Sequence, residues 1–310
     1  MSFWVRKLGG TLLAALGATL LVSLFLDVIP GDPAQVLLGE QAQSVDVAAL
    51  RRQMWLDRPV PVQAWLFLRD LATGDLRSSL PPFQERVISR LGQVAPRTGL
   101  LALLAMLCAA ALGLPLGILS ARRAGRALDR GAMGLAVLGI SAPSFLIGHL
   151  LILMFGIRLG LLPIAGDDSA AAVVLPALTL GLAMSALLSR VTRASMLEVQ
   201  GREWVTAARA RGLPEWKVTL RYAFRSAALP ILTIAGLQFG GVLTGAVVVE
   251  KVFNWPGLGT YLLSSIERRD YNAVRACVLV FTLTYLAVNL LTDAACTWVD
   301  PRGRRSAEAG

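Results

Sequence analysis

Six apolar stretches divide the chain, at residues 8–29, 97–121, 131–157, 171–191, 227–249 and 274–299. Each is about 20 residues or longer, enough for an α-helix to cross the hydrocarbon core of a bilayer. The pattern therefore predicts an all-α chain with six transmembrane helices. The first run follows Arg6 and Lys7 and is longer than the apolar core of a secretory signal. It ends in Asp27 and Pro30-Gly31-Asp32-Pro33 without a small-residue cleavage site, so it reads as an uncleaved span.

The polar intervals alternate in charge. Arg122, Arg123, Arg126 and Arg130 follow the second run, and Asp167 and Asp168 follow the third. A strongly basic interval follows the fourth, a balanced one (250–272) the fifth, and Arg302, Arg304 and Arg305 come after the sixth. Basic short loops stay on the cytoplasmic side, which predicts both termini and the central interval inside. Residues 30–96 form the one long extramembrane segment, with balanced charge and breaks at Pro59, Pro61, Gly74, Pro81 and Pro82. A short helix is expected over 41–52, capped by Ser44 or Asp46. The expected layout is a first span at 1–29, a periplasmic segment at 30–96, a five-helix core at 97–300 and a tail at 301–310. Within the core, 195–225 is a coupling loop and 250–272 an outer loop.

Composition agrees. The 310 residues are 55% hydrophobic with a mean hydropathy of +0.62, too apolar for an ordinary soluble domain. The net charge of +10 would suggest nucleic acid in a soluble protein; here it lies in loops where topology accounts for it. Cys108, Cys277 and Cys296 sit within apolar runs without metal-ligand spacing and read as small buried residues. No GxxxxGK[ST] phosphate loop occurs, so any ATP hydrolysis that drives the protein must come from another chain.

The central interval runs from Arg193 to Pro230 and is rich in helix formers on both sides of Gly212. Gly212 suits a left-handed helix end, and Pro214 the first turn of a following helix. In that second helix Trp216, Leu220 and Phe224 form one stripe and Lys217, Arg221 and Arg225 another. Residues four apart share a face, which predicts an amphipathic helix along the membrane surface. Before Gly212, Thr206, Ala207 and Ala208 offer a small-residue face suited to docking in a partner's groove.

Thr206-Ala207-Ala208 followed after three residues by Gly212 resembles the Glu-Ala-Ala-x-x-x-Gly pattern in the cytoplasmic loop of binding-protein-dependent ABC importer permeases, with Thr in place of Glu. With RASMLEV, AARARGL, VVVEKVFNWPGLG, PGDPA, LDRP and GDL, the chain is similar to B-type permeases of the dipeptide, oligopeptide, glutathione and nickel family. The family usually has Gly where Trp55 and Arg77 stand. The resemblance implies a bacterial inner-membrane subunit that binds no cofactor itself. Its implied partners are a second permease, two ATPase subunits carrying ATP and Mg, an external solute-binding protein and membrane lipid, with no nucleic acid. It assigns ATPase coupling to Glu203, Thr206, Ala207, Ala208, Arg209, Arg211, Gly212 and Leu213. Short peptides, including glutathione, are the implied cargo; nickel or a metal–metallophore complex is the alternative.

Candidates for the pore and outer gate are Ser141, Pro143, Ser144, Gln238, Thr244, Glu250, Phe253, Trp255, Pro256 and Gly257. Pro143 is expected to kink the third run. Gly236, Gly240, Gly241 and Gly245 on the fifth run fit either close helix packing or a pore-facing helix at a subunit seam. A helix over 258–268 is expected to plug the outer mouth. The single histidine, His149, reads as a hydrogen-bonded structural residue, and Arg190, Arg193 and Asp293 as side chains reaching to the interface. An ion-coupled carrier and an intramembrane enzyme are the readings from other classes. The first has no internal repeat behind it, and the second lacks paired catalytic groups.

Overall fold

The computed structural model describes residues 2–28, 33–38, 43–80 and 85–299. PGDPA through Asp32, Pro81 and Pro82, and the terminal segment from Asp300 lie outside the described residues. The helices are α1 (Ser2–Val28), α2 (Pro33–Leu38), α3 (Ser44–Gln53), α4 (Val60–Thr73), α5 (Val87–Arg122), α6 (Ala127–Ser141) and α7 (Ser144–Leu151). They continue with α8 (Val174–Gln200), α9 (Glu203–Ala210), α10 (Glu215–Lys217), α11 (Phe224–Val252), α12 (Leu258–Glu267) and α13 (Tyr271–Val299). A π-helical turn, Ile152–Arg158, extends α7, and another, Val218–Ala223, joins α10 to α11. No strand occurs among the described residues.

Val87–Arg122, Ala170–Gln200 and Tyr271–Val299 are single helices long and apolar enough to cross a membrane. Two bent pairs pass the same test, Ala127–Ser141 with Ser144–Arg158 and Glu215–Val242 with Ala246–Val252, and Gly9–Phe25 is a shorter apolar stretch. The break in the third run is far larger than the kink expected from Pro143: its halves meet at 105°. Proline forces its predecessor out of the helical region, and Ala142 is extended (φ −78°, ψ 126°).

The chain forms two compact units. One comprises Met1–Thr98 with Pro256–Thr284; the other comprises Gly99–Trp255 with Tyr285–Gly310. In the first unit α5 begins ten residues before its apolar run, because Val87, Leu91 and Val94 recur on one buried face. They pack with Ala15, Phe67, Leu76, Leu258, Ala273 and Cys277. The segment at 43–80 is thus built onto helices of the membrane-spanning set. Asp270 fastens it, accepting hydrogen bonds from the Ser78 hydroxyl and, at 2.9 Å, the Ser79 amide. Arg275 donates to Gln63 at 2.7 Å, both side chains buried. The position before α3 is Gln43, which makes no side-chain cap, so neither Ser44 nor Asp46 plays that role. Trp55 adopts φ 57°, the left-handed conformation for which the family's usual glycine is suited.

In the second unit α8 is the central helix, with α5, α6, α7 and α11 around it. Its contact with α5 is close to backbone on backbone. A Cβ at Gly117 would lie 2.6 Å from both the Ser189 carbonyl oxygen and the Thr192 Cβ. At Gly113 it would lie 3.0 Å from the Ser185 carbonyl oxygen, and at Gly181 2.7 Å from the Cys108 Cβ. Gly240 similarly faces Tyr285, and Gly236 faces Thr292, so these two glycines of α11 serve close packing against α13; Gly241 has open space.

Gly117→Val should therefore destabilise the protein by roughly 1–3 kcal/mol through overpacking. Gly131→Ala, with nothing within 4 Å of the added carbon, should be neutral or stabilising by up to about 1 kcal/mol. Thermal unfolding midpoints of the two detergent-solubilised variants test the contrast.

Candidate functional site

The basic interval is a short helix held rigidly between two long ones. α8 ends at Gln200, Arg202 is extended (φ −76°, ψ 142°), and α9 occupies Glu203–Ala210. Val205 is fully buried and anchors α9. Glu203, Thr206, Ala207, Arg209 and Arg211 are exposed, and Ala208 and Leu213 are half-buried. The small-residue face expected for docking is thus on the surface.

Gly212 has φ 77°, and the hydrogen bonds around it show why the helix stops there. The Gly212 amide donates to the Arg209 carbonyl at 2.9 Å, and the Leu213 amide to the Ala208 carbonyl at 3.4 Å. This 5→2 and 6→1 pair is the Schellman arrangement, which satisfies carbonyls at the helix end and requires a left-handed residue. Across the turn Arg209 grips Glu215, with Nη2 2.9 Å and Nε 3.2 Å from Oε1. Both side chains are substantially exposed, so the clamp adds orientation more than stability, roughly 0.2–1 kcal/mol.

Beyond the turn the structure departs from the expected surface helix. Pro214 is extended and precedes the helix rather than occupying its first turn. The helix then runs through α10 and the π-turn directly into α11, with Pro230 inside it. The Trp216 and Leu220 stripe is exposed, while Val218, Thr219 and Ala223 form the buried face. One extra residue per turn in the π segment rotates the register, which a strict four-residue count misses. A cavity of about 620 Å3 lies beside the loop, lined by Ser195, Glu198, Arg202, Trp204, Arg225 and Pro230 among others.

Arg193 is held in an ion pair. Its Nε lies 2.6 Å from Asp129 Oδ1 and its Nη2 2.8 Å from Oδ2. The Gly125 amide also donates to Asp129, at 2.8 Å. Asp129 is buried in the first turn of α6, so this charged pair joins α6 to α8 two turns before the loop. Sequence reasoning overlooked Asp129. A lone acid at the edge of an apolar run, among arginines, is the signal that was available.

The pore candidates separate. Ser141 and Pro143 are exposed and Ser144 half-buried at the break of the third run. Phe253 is buried against Gly148 of α7, where a Cβ would lie 3.2 Å from its ring, and its carbonyl accepts the Gly166 amide at 3.0 Å. Glu250 and Trp255 are also buried, so Trp255 is a packed residue here rather than an exposed interfacial anchor. The Trp255 amide donates to the Glu250 carbonyl and Asn254 has φ 47°, a second Schellman ending. Gln238 has a buried Nε2 without a hydrogen-bond partner among the described residues. The side chain of Thr244 lies outside those described. Pro256 and Gly257 belong to the first unit, where Gly257 precedes α12 and the Leu258 amide donates to Thr98 at 2.7 Å. His149 is exposed, its Nδ1 2.7 Å from the Phe145 carbonyl.

Gly212→Val should cost about 1–2 kcal/mol of local stability, because an L side chain is strained in the left-handed region. Faster hydrogen exchange in the Glu203–Ala210 amides, with little change in α8, is the expected readout.

Comparison with known proteins places this loop in context. The family model "Binding-protein-dependent transport system inner membrane component" matches residues 113–305, and the corresponding N-terminal model ("Binding-prot-dependent transport system membrane comp, N-term") matches residues 1–82. The glutathione transport system permease protein GsiC of Pectobacterium atrosepticum is 39% identical over 304 residues, covering 97% of this chain and 98% of that protein. The Escherichia coli K12 protein of the same name is 38% identical over the same shares. An inward-facing structure of the MetNI methionine ABC transporter aligns with a TM-score of 0.60 at 14% identity, covering 69% of this chain and 98% of the other. Two family models that together cover most of the sequence, and relatives 38–39% identical over nearly their whole length, show that the chain belongs to the inner-membrane components of binding-protein-dependent transport systems.

Proposed function

We propose that this permease subunit of an ABC importer forms half of a translocation pathway for short peptides, glutathione among them. A second related permease forms the other half. Two ATPase subunits carry ATP and Mg, and an external solute-binding protein delivers cargo. The observation that carries the cargo assignment is the near-complete alignment with permeases named for glutathione transport, 39% identical over 98% of their length. The coupling assignment rests on α9: it is short, anchored by Val205, closed by a Schellman turn and exposes Thr206 and Ala207.

In this reading the loop and both termini face the cytoplasm, in keeping with the positive-inside rule. ATP binding draws the ATPases together and pushes on α9. The permease pair then opens outward, and hydrolysis resets it. Such a switch needs a rigid element with two positions, and α9 has the rigidity. The chain performs no covalent chemistry. Gln238 of α11 carries a buried Nε2 without a hydrogen-bond partner among the described residues, a donor that a shift of α11 would have to expose before it could meet cargo.

The test uses the complete importer reconstituted in vesicles. Ala207→Trp should block the docking face, lowering labelled glutathione uptake by about tenfold or more, the scale of 1–3 kcal/mol couplings, while the membrane complex still assembles. A cysteine at Ala208 should crosslink to one in the ATPase groove. Unchanged uptake with tryptophan at 207, or no crosslink across neighbouring positions, would contradict the assignment.

A further inference from the structure

We propose that Asp129 and Arg193 are positioning residues for transport: their partly buried, bidentate pair carries displacement of α9 into the broken helix α6–α7. The inference rests on the reading of α9 as the element pushed by the ATPase.

The geometry provides a continuous route. α8 leads into α9 through two residues only, Gly201 and Arg202. Two turns before that end, Arg193 holds Asp129 through both guanidinium nitrogens at 2.6 and 2.8 Å. The Gly125 amide fixes the same carboxylate, so the turn between α5 and α6 is tied in as well. Further along, Gly139 of α6 meets Ala186 of α8, where an added Cβ would come within 3.1 Å. α6 is therefore pinned to α8 at two places, one at its start and one beside the break at Ala142-Pro143. Past the break, α7 rests through Gly148 on Phe253 and on Thr179 of α8, so the α6 pins set the angle at which α7 meets α8 rather than its only contact with it. A shift of α8 is passed to α6 at both pins, and the break is where the chain can turn it into reorientation of α7.

The chemistry of the first pin explains why it is an ion pair. Burying two charges is weak evidence for stability, because desolvation opposes their attraction. What a fork-to-carboxylate pair adds is fixed direction. An apolar contact at the same place would let α6 slide or rotate on α8, and lysine offers no planar fork. Asp129 has 3% of its side-chain surface exposed and Arg193 27%, so the carboxylate is shielded from water while the guanidinium stays partly solvated.

The experiment places spin labels in the assembled importer, on cysteines at Ala210, an exposed residue of α9 outside those assigned to coupling, and at Leu146 in α7, with native cysteines replaced. Distances to a fixed site on the partner permease are measured with and without ATP and vanadate. With the native pair, both labels should shift on trapping. In Asp129→Asn and in Arg193→Lys the α9 label should shift as before, while the α7 shift falls by about tenfold in population, the size expected for altered coupling. An undiminished α7 shift in both variants overturns the proposal, as does failure of both variants to assemble, which would make the pair a folding element. No shift of the α9 label with the native pair defeats the coupling reading itself and the inference with it. Movement of α9 without α7 in the variants separates the two.

Discussion

Helices in a bilayer gain little from leaving lipid for one another, so their association depends on how closely they can pack. The approach of α5 to α8 is the contact on which the second unit is built. Gly113, Gly117 and Gly181 let the two backbones approach closely at three places. α8 in turn contacts α6, α7 and α11. A helix that is fixed along its length and ends in a short exposed one behaves as a single body. That property connects a packing detail at Gly117 with the motion proposed for α9.

Two kinds of ion pair serve the loop differently. Arg209–Glu215 and Arg202–Glu198 are exposed at distances near 2.9 and 2.8 Å. In water such pairs contribute roughly 0.2–1 kcal/mol and weaken with salt. They bias the turn without holding it. Asp129–Arg193 is shorter, partly buried and supported by a backbone amide. Screening reaches it far less, so the joint between α6 and α8 keeps its geometry when ionic conditions change at the surface.

Much of this was legible in the sequence wherever the cause is local. Glycine followed by Leu-Pro after a helical stretch implies the ending at Gly212, and Pro143 implies an interruption at Ala142. The apolar runs imply the helices. The size of the break was not readable, because a proline sets the conformation of its predecessor while the surrounding packing sets the angle. The π-turn at Val218–Ala223 was missed for a similar reason: a strict four-residue count has no place for an extra residue. Asp129 and Arg193 are far apart in sequence and close in space, and no local pattern joins them. Asp270 and Ser78 pose the same problem in the first unit, where a single carboxylate draws a distant segment into an unexpected grouping.

One of the positions in which this chain differs from the family pattern lies in α9. Threonine stands at 206 where glutamate is usual, and it lies on the exposed side of α9. Nothing in the local geometry requires a carboxylate there. The helix is anchored by Val205 and ended by backbone bonds around Gly212, and its loop acid is Glu215, held by Arg209. The replacement removes one negative charge from a face set among arginines and leaves the shape of α9 to the same two backbone bonds. The shape of α9 is thus independent of residue 206; in the proposed coupling, what changes is the charge this face presents.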